Sequence, residues 1–230
     1  MPRVEILVKA YDKLERFIYA TRHDRYQRRN EMYVAPHYNV PSKAQRKICL
    51  VVVDMQNCFF DDDEHFKEKN QKELENIAEA IRLFHEHSRD VFMIQYIGET
   101  HSLCKDMNFI KELGEIEPCT VVEKHHSSAF FNTLLSDLVV ERGYDSVLIC
   151  GAYAEHCIMS TYWNAINCDI TPFLLSEGVI AYVKEKQKSV EDICSVFTMD
   201  DLRENLKTAT IDPDYNSTTN RMRRKYWYVN

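Results

Sequence analysis

A single cysteine lies where the sequence pattern changes from a strand to a helix. Cys157 comes after the apolar run 147–150 and after Gly151, which permits a tight exit from a strand. Apolar residues then recur at helical spacing, at Ile158, Tyr162, Ala165 and Ile166. The pattern predicts that Cys157 lies in the first turn of a helix, where unpaired N–H groups and the helix dipole favour the thiolate. Because the thiolate is the reactive form of cysteine, this position indicates a nucleophile.

Two charged residues lie at the ends of two other predicted strands. Asp54 ends the apolar segment 47–54, and Lys124 follows the short strand 120–123. Burial would raise the pKa of the Asp54 carboxyl unless a cation or hydrogen bonds offset it, and Lys124 could supply that charge. Taken singly, such residues are usually a turn acceptor, a solvated lysine and a small buried hydrophobe. Asp54, Lys124 and Cys157 nevertheless follow three predicted strands in turn, and this shared position indicates a functional site.

The hydrophobic pattern alternates between strand and helix along the chain. Strands are predicted over 47–54, 91–96, 120–123, 147–150, 170–175 and 195–199. Helices are predicted over 72–87, 185–193 and 200–207, with one more after Cys157. A further helix should end at Gly143 and carry Phe131, Leu134, Leu135, Leu138 and Val139 on one side. These βα units predict a Rossmann-type three-layer α/β/α sandwich with a mainly parallel central sheet, whose ligands bind at the carboxyl ends of the strands.

The composition is that of an ordinary globular protein. The 230 residues carry a net charge of −7, which argues against nucleic acid and favours a small-molecule substrate. No apolar run approaches the ~20 residues that span a bilayer, and the first residues lack the apolar core of a signal peptide. We therefore expect a cytoplasmic protein without membrane contact, whose eight scattered cysteines stay reduced. We expect an N-terminal arm over 1–45, one domain over 46–207 and a polar C-terminal tail over 208–230.

Four motifs resemble those of the isochorismatase-like cysteine hydrolase superfamily, which includes isochorismatases, nicotinamidases and N-carbamoyl amidases. The resemblance covers roughly residues 45–207 and rests on the segments 54–59 (DMQNCF), 124–131 (KHHSSAFF), 151–157 (GAYAEHC) and 169–173 (DITPF). It implies a catalytic triad in which Asp54 is the general base, Lys124 its electrostatic partner and Cys157 the nucleophile. It also implies a cis peptide between Ala152 and Tyr153, and an oxyanion hole formed by the backbone N–H groups of Tyr153 and Cys157.

The residues around the triad motifs predict the lining of a substrate pocket. We expect the substrate pocket to include Gln56, Phe59, His125, His126, Phe130, Tyr153 and His156. The metal site of nicotinamidases, an Asp-x-His after the second strand, is missing, since Tyr-Ile-Gly stands at 96–98. We therefore expect no metal and no cofactor. Related hydrolases assemble as dimers or larger oligomers, so we expect a homodimer or a higher homo-oligomer.

The sequence resembles two branches of the family that catalyse different reactions. The Glu-His-Cys run at 155–157 looks like the amidase branch, in which the thiol attacks a small amide or related carbonyl compound. Tyr153 and the segments 128–131 and 169–173 look like isochorismatases, which protonate a vinyl ether from the aspartic acid and need no thiol. Isochorismatases typically follow their lysine with Trp-Arg-Tyr, whereas His125, His126 and Ser127 stand here, so an arginine for a substrate carboxylate is absent at that position. A third reading is a non-catalytic binding or assembly domain with the same fold.

Overall fold

Six parallel strands form the central sheet of this protein. In the computed structural model, which describes residues 44–45, 47–60, 65–98 and 106–211, their order across the sheet is β4-β3-β2-β5-β6-β7. The sheet contains β2 (Ile48–Val53), β3 (Val91–Tyr96), β4 (Thr120–Lys124), β5 (Ser146–Ala152), β6 (Thr171–Ile180) and β7 (Val196–Phe197). The strand order reverses between β2 and β5, so the carboxyl ends of these two neighbouring strands border the crevice where ligands bind in such sheets.

Helices cover both faces of the sheet. They are α1 (Phe66–Lys69), α2 (Gln71–Glu86), α3 (Leu135–Glu141), α4 (Met159–Asn167), α5 (Lys186–Ile193) and α6 (Met199–Thr208). The side chains of β2 alternate: Leu50 and Val52 pack in the core with residues of α2 and α6, whereas Val51 and Val53 pack with residues of α3, α4 and α5. The predicted three-layer α/β/α sandwich with its parallel sheet is confirmed.

A second, two-stranded sheet joins the two ends of the described chain. Strand β1 (Ala44–Gln45) pairs antiparallel with β8 (Thr210–Ile211). The arm and tail predicted over 1–45 and 208–230 otherwise lie outside the described residues, except for Thr208 and Ala209. None of the described helices is long and apolar enough to cross a membrane. The cysteines among the described residues are all free thiols.

Three predicted elements differ from the structure. The helix predicted to include Phe131 and Leu134 begins only at Leu135, because Asn132 adopts a left-handed backbone conformation with φ of 58°. The last predicted strand is shorter, Val196–Phe197, because the following helix begins at Met199 with a capping box between Thr198 and Asp201. The strand predicted over 170–175 is longer and continues to Ile180, and its pairing with β5 shifts register between Ile149 and Gly151.

Gly151 allows strands β2 and β5 to approach each other beneath the carboxyl edge. Its φ is +110°, and a Cβ at this position would lie 2.2 Å from the backbone oxygen of Val53. That oxygen belongs to the rigid strand that carries Asp54 at its end, so the contact cannot be relieved by rotating a side chain. Glycine is therefore required both by the backbone conformation and by the space available.

Gly151→Ala should destabilise the fold more than the same substitution at a glycine of positive φ that has free space around it. We expect the free energy of unfolding to fall by at least about 3 kcal/mol, because backbone strain and a clash with β2 add together. Gly143→Ala is the matched control, since Gly143 has φ of +74° but nothing within 4 Å of its added Cβ. It should lose only about 1 to 2 kcal/mol. Urea unfolding of both variants measures the difference, and equal losses would contradict the steric argument.

Candidate active site

Asp54 directly follows a strand whose residues are all buried. All six residues of β2 are buried, and the side chain of Asp54 is buried beyond them. Its backbone is left-handed, with φ of 54°, a conformation that aspartate tolerates better than most residues. The backbone N–H of Asp54 donates to the carbonyl oxygen of Ile94 on β3, at 3.1 Å. The sheet thus fixes the backbone that carries the Asp54 carboxylate.

Lys124 ends β4 as a fully buried cation with four polar neighbours. Its Nζ lies 2.7 Å from Oδ2 of Asp54 and donates to Sγ of Cys157 at 3.2 Å. It also donates to the carbonyl oxygens of His126 and Ser127, at 3.1 and 3.0 Å. The contact between the Lys124 Nζ and the Asp54 carboxylate joins opposite charges in a buried setting. The lysine therefore joins the carboxylate and the thiol in one buried cluster.

Cys157 lies in a π-helical turn rather than in the first turn of an α-helix. The turn spans Ala154–Ile158, and the N–H of Ile158 reaches back five residues to the carbonyl oxygen of Tyr153, at 3.2 Å. The peptide bond between Ala152 and Tyr153 is cis. Isolated π turns are rare in proteins and frequently occur at functional sites. This turn brings the partly buried thiol of Cys157 to Lys124.

Burial and charge control the proton affinities in this cluster. Burial, together with the negative charge of Asp54, raises the pKa of the Cys157 thiol to about 12, although Lys124 opposes the shift. Burial also raises the pKa of the Asp54 carboxyl, against the attraction of Lys124. We expected the helix start to favour the thiolate, but burial and the charge of Asp54 act in the opposite direction. Cys157 holds its proton more tightly than an ordinary thiol and needs a base to release it.

Gln56 stabilises the backbone next to the site through hydrogen bonds. The side chain is fully buried, and its Nε2 donates to the carbonyl oxygens of Tyr96 and Met107, at 3.3 and 3.2 Å. Its Oε1 accepts from the N–H of Tyr96 at 2.7 Å. Because backbone groups occupy this amide, we interpret Gln56 as a support for the strand ends rather than as a pocket residue. Phe130 is likewise buried, in the core beneath α3 and α4.

An aromatic cluster borders the site on the side of Tyr153. The Tyr153 hydroxyl donates to the carbonyl oxygen of Phe59 at 2.8 Å, and its ring contacts Phe60 edge to face at 5.7 Å. Phe59 in turn contacts the ring of Tyr96 at 6.0 Å. The side chains of His125, His126 and His156 are exposed, and His126 packs against the edge of Phe131. Within the described ranges, no group of three or more His, Cys, Asp or Glu side chains is placed to hold a metal.

Comparison with known proteins identifies the family. A model of the isochorismatase domain matches residues 48–193. The chain belongs to the isochorismatase family. The uncharacterized isochorismatase family protein YddQ of Bacillus subtilis (strain 168) is 26% identical over 156 residues, which are 65% of this chain and 78% of that protein. This chain is therefore an isochorismatase-family hydrolase.

Solved structures share the fold at low identity. A putative isochorismatase from Burkholderia xenovorans LB400 is 20% identical with a TM-score of 0.65, over 79% of this chain and all of that one. The N-carbamoylsarcosine amidase of Thermoplasma acidophilum is 21% identical with a TM-score of 0.57, over 66% of this chain and 95% of that one. These similarities establish the isochorismatase-family architecture, whereas the substrate must be argued from the site.

Tyr96 is a residue of this isochorismatase-family site that the sequence analysis did not select. It ends β3, between the strands that carry Asp54 and Lys124, and the Lys124 Nζ lies 5.1 Å from the centre of its ring. Cation–π attraction therefore adds to the stabilisation of the buried ammonium. Its position at the carboxyl end of a strand was the available signal. Gly98 leaves room for this ring, since a Cβ there would lie 2.2 Å from the Tyr96 hydroxyl oxygen.

Lys124→Met should make the fold sensitive to pH. Without the ammonium, the Asp54 carboxylate is buried without its counter-charge, and we expect a loss of about 3 to 5 kcal/mol of unfolding free energy. Because the folded-state pKa of Asp54 lies above its ordinary value of 3.8, the loss should be small in acid and grow as the pH rises through that pKa.

Urea unfolding at a series of pH values from about 4 to about 9 follows this dependence. Lys67→Met is the control, because its ion pair with Glu112 involves a lysine side chain that is 61% exposed. That variant should lose less than about 1 kcal/mol at each pH. A loss in Lys124→Met that does not increase with pH would contradict the assigned ion pair.

Proposed function

We propose that this isochorismatase-family hydrolase cleaves a small amide or a related carbonyl compound through Asp54, Lys124 and Cys157. The observation that carries the proposal is the position of the Lys124 Nζ, which is 2.7 Å from Asp54 and 3.2 Å from Cys157 in a buried cluster. A base, a cation and a thiol at these distances are the components of nucleophilic catalysis by cysteine. The similarity to an N-carbamoylsarcosine amidase supports a carbon–nitrogen bond as the target.

The first step transfers the Cys157 proton to Asp54 as the thiol attacks the substrate carbonyl carbon. The raised pKa of the thiol favours proton transfer during attack over a stored thiolate. The raised pKa of Asp54 suits the same step, because the carboxyl then holds the proton it receives. Lys124 contacts both groups, so its charge can offset the charge that moves from one to the other.

The second step releases the amine. Backbone N–H groups of Tyr153 and Cys157 would stabilise the oxyanion, each contributing about 3 kcal/mol by analogy with other hydrolases. Asp54 then gives its proton to the leaving nitrogen as the carbon–nitrogen bond breaks, which leaves a thioester on Cys157. Water attacks the thioester carbonyl with Asp54 as base, the acid product leaves, and the proton returns to the sulfur.

A second candidate is hydrolysis of the vinyl ether of isochorismate. It is favoured by the raised pKa of Asp54, because a carboxyl that retains its proton can donate it to carbon. Cys157 would then be dispensable. The exposed side chains of His125, His126 and Ser127 offer no permanent cation to a substrate carboxylate, which makes this reading the weaker one.

Hydrolysis assays with two variants distinguish these functions. Nicotinamide, N-carbamoylsarcosine and isochorismate would be incubated with the wild type, Cys157→Ala and Asp54→Asn. For an amide substrate, we expect kcat/KM to fall at least about a thousandfold in both variants, since the base and the nucleophile act in the same step. Isochorismate hydrolysis that survives in Cys157→Ala but not in Asp54→Asn would instead support the second candidate.

Alkylation of Cys157 tests the role of Asp54 without a substrate. The charge of Asp54 raises the pKa of the thiol, so electrostatics alone would make Asp54→Asn react faster with iodoacetamide near neutral pH. A general base predicts the opposite, a slower reaction, because proton removal is lost. Mass spectrometry of each cysteine measures the rate, and faster labelling of Cys157 in the variant would rule out the base role.

We propose further that the protein forms a homodimer or a higher homo-oligomer through the layer that contains α3, α4 and α5. The support is the distribution of large exposed apolar side chains, which include Leu134 at 69% exposure beside α3, Trp163 on α4 and Ile193 on α5. Among the described residues, α2 and α6 expose no comparable side chain. A face of this kind is typical of association surfaces.

Light scattering should report a mass of at least two chains for the wild type. Leu134→Lys and Trp163→Lys should shift the population toward the monomer, because each places a charge in the apolar face. Glu75→Lys on α2 is the control and should leave the mass unchanged. A monomeric wild type at micromolar concentration would exclude this assembly.

A further inference from the structure

The turn that follows β6 lies beside the catalytic turn. Ile180, the last residue of β6, pairs with Ala152, the last residue of β5. The chain therefore leaves both strands at the same place on the carboxyl edge of the sheet. Residues 181–183 begin there next to Tyr153, whose turn continues to Cys157.

The carboxylate of Glu155 ties these two turns together. Its Oε2 accepts a hydrogen bond from the N–H of Tyr182 at 3.0 Å, and its Oε1 accepts from the N–H of Val183 at 2.9 Å. Although burial opposes ionisation, backbone hydrogen bonds from Val183, from Glu155 itself and from Tyr182, together with the charge of Lys186, hold the pKa of Glu155 below its usual range. A carboxylate can accept from both N–H groups, whereas a glutamine amide presents its own N–H₂ to one of them. The pair of bonds thus requires the acid.

The bonds to Glu155 hold the backbone of Tyr182 so that its ring lies against Tyr153. The ring meets Tyr153 edge to face, with centroids 5.6 Å apart and planes at 87°. Tyr153 is itself fixed by its hydroxyl bond to Phe59 and by its contact with Phe60. Tyr182 remains 75% exposed, so most of its ring is left open to a ligand.

We propose that Tyr182 forms an outer wall of the substrate site that selects planar apolar groups, and that Glu155 is the positioning residue that holds this wall. The inference rests on the proposed function, since it takes Cys157 as the reacting atom. A planar group next to the reacting carbonyl would stack on the open face of Tyr182, whereas a small aliphatic group would gain little there. Glu155 touches no reacting atom and acts through Tyr182.

The test uses alkylating reagents, so it does not need the natural substrate. Iodoacetamide, N-cyclohexyl iodoacetamide and N-benzyl iodoacetamide carry the same reactive carbon. In each case the Cys157 sulfur forms a bond to that carbon, the carbon–iodine bond breaks, iodide leaves with the electron pair, and the thiol proton passes to Asp54 or solvent. The benzyl and cyclohexyl reagents both place a bulky apolar group on the amide nitrogen, so the difference between their rates relative to iodoacetamide reports recognition of the planar ring.

In the wild type, we expect the benzyl reagent to label Cys157 about tenfold faster than iodoacetamide, with the cyclohexyl reagent close to iodoacetamide. Tyr182→Ala and Glu155→Gln should each reduce the benzyl ratio to about one to two. Tyr182→Phe should keep the wild-type ratio because it keeps the ring. Glu185→Gln, an exposed carboxylate near the same turn, is the matched control and should also keep it.

The double variant Glu155→Gln with Tyr182→Ala tests the route of the effect. If Glu155 acts only through Tyr182, the double variant should match Tyr182→Ala. Additive losses would overturn the positioning role of Glu155. Equal benzyl and iodoacetamide rates in the wild type, or a cyclohexyl rate equal to the benzyl rate, would overturn the planar wall. A Cys157 that no reagent labels would instead contradict the proposed function itself.

Tyr182→Ala keeps the test decisive if Glu155→Gln fails to fold. Its side chain is exposed, so its removal leaves the core intact, and the wall can be assessed from this variant alone. Circular dichroism of each variant would establish that the fold is present before rates are compared.

Discussion

The arrangement of the site depends on the burial of one ammonium group. Removing Lys124 from water is costly unless each of its protons finds a partner, and the structure provides a carboxylate, a thiol and two carbonyl oxygens for this purpose. These partners come from the end of β2, from the loop after β4 and from the turn after β5. The need to satisfy one cation therefore draws three separate parts of the chain to the same point on the sheet.

The same burial sets the chemistry of the thiol. In water, a neighbouring lysine would make a cysteine more acidic, but here the loss of solvent and the charge of Asp54 outweigh that effect. Both effects favour the protonated form of the Cys157 thiol. The reactivity of a thiol in this state depends on a correctly placed acceptor for its proton.

The sequence predicted those parts of the fold in which one pattern dominates. Strands β2 and β3 were found to within a residue or two, because continuous runs of apolar residues reflect strands buried on both faces. The apolar spacing at Phe131 and Leu134 misled the helix prediction, since these side chains are exposed and the helix begins after them. The π turn at Cys157 leaves no periodic signal in the sequence. The hydrogen bonds between Gln56 and backbone groups have no local sequence signature, and neither does the contact of Glu155 with Tyr182. Such contacts join residues that are far apart in the sequence, and they form only when the strands are paired in register.

The left-handed backbone at Asp54 restricts which residues this position can hold. Asparagine and glycine tolerate that conformation but carry no carboxylate, whereas glutamate carries the carboxylate on a longer side chain and adopts the conformation less readily. The backbone and the chemistry thus favour the same amino acid for unrelated reasons. Few single substitutions can retain both the backbone conformation and the carboxylate. We therefore expect this site to be lost in one step, rather than to change gradually, as the sequence diverges.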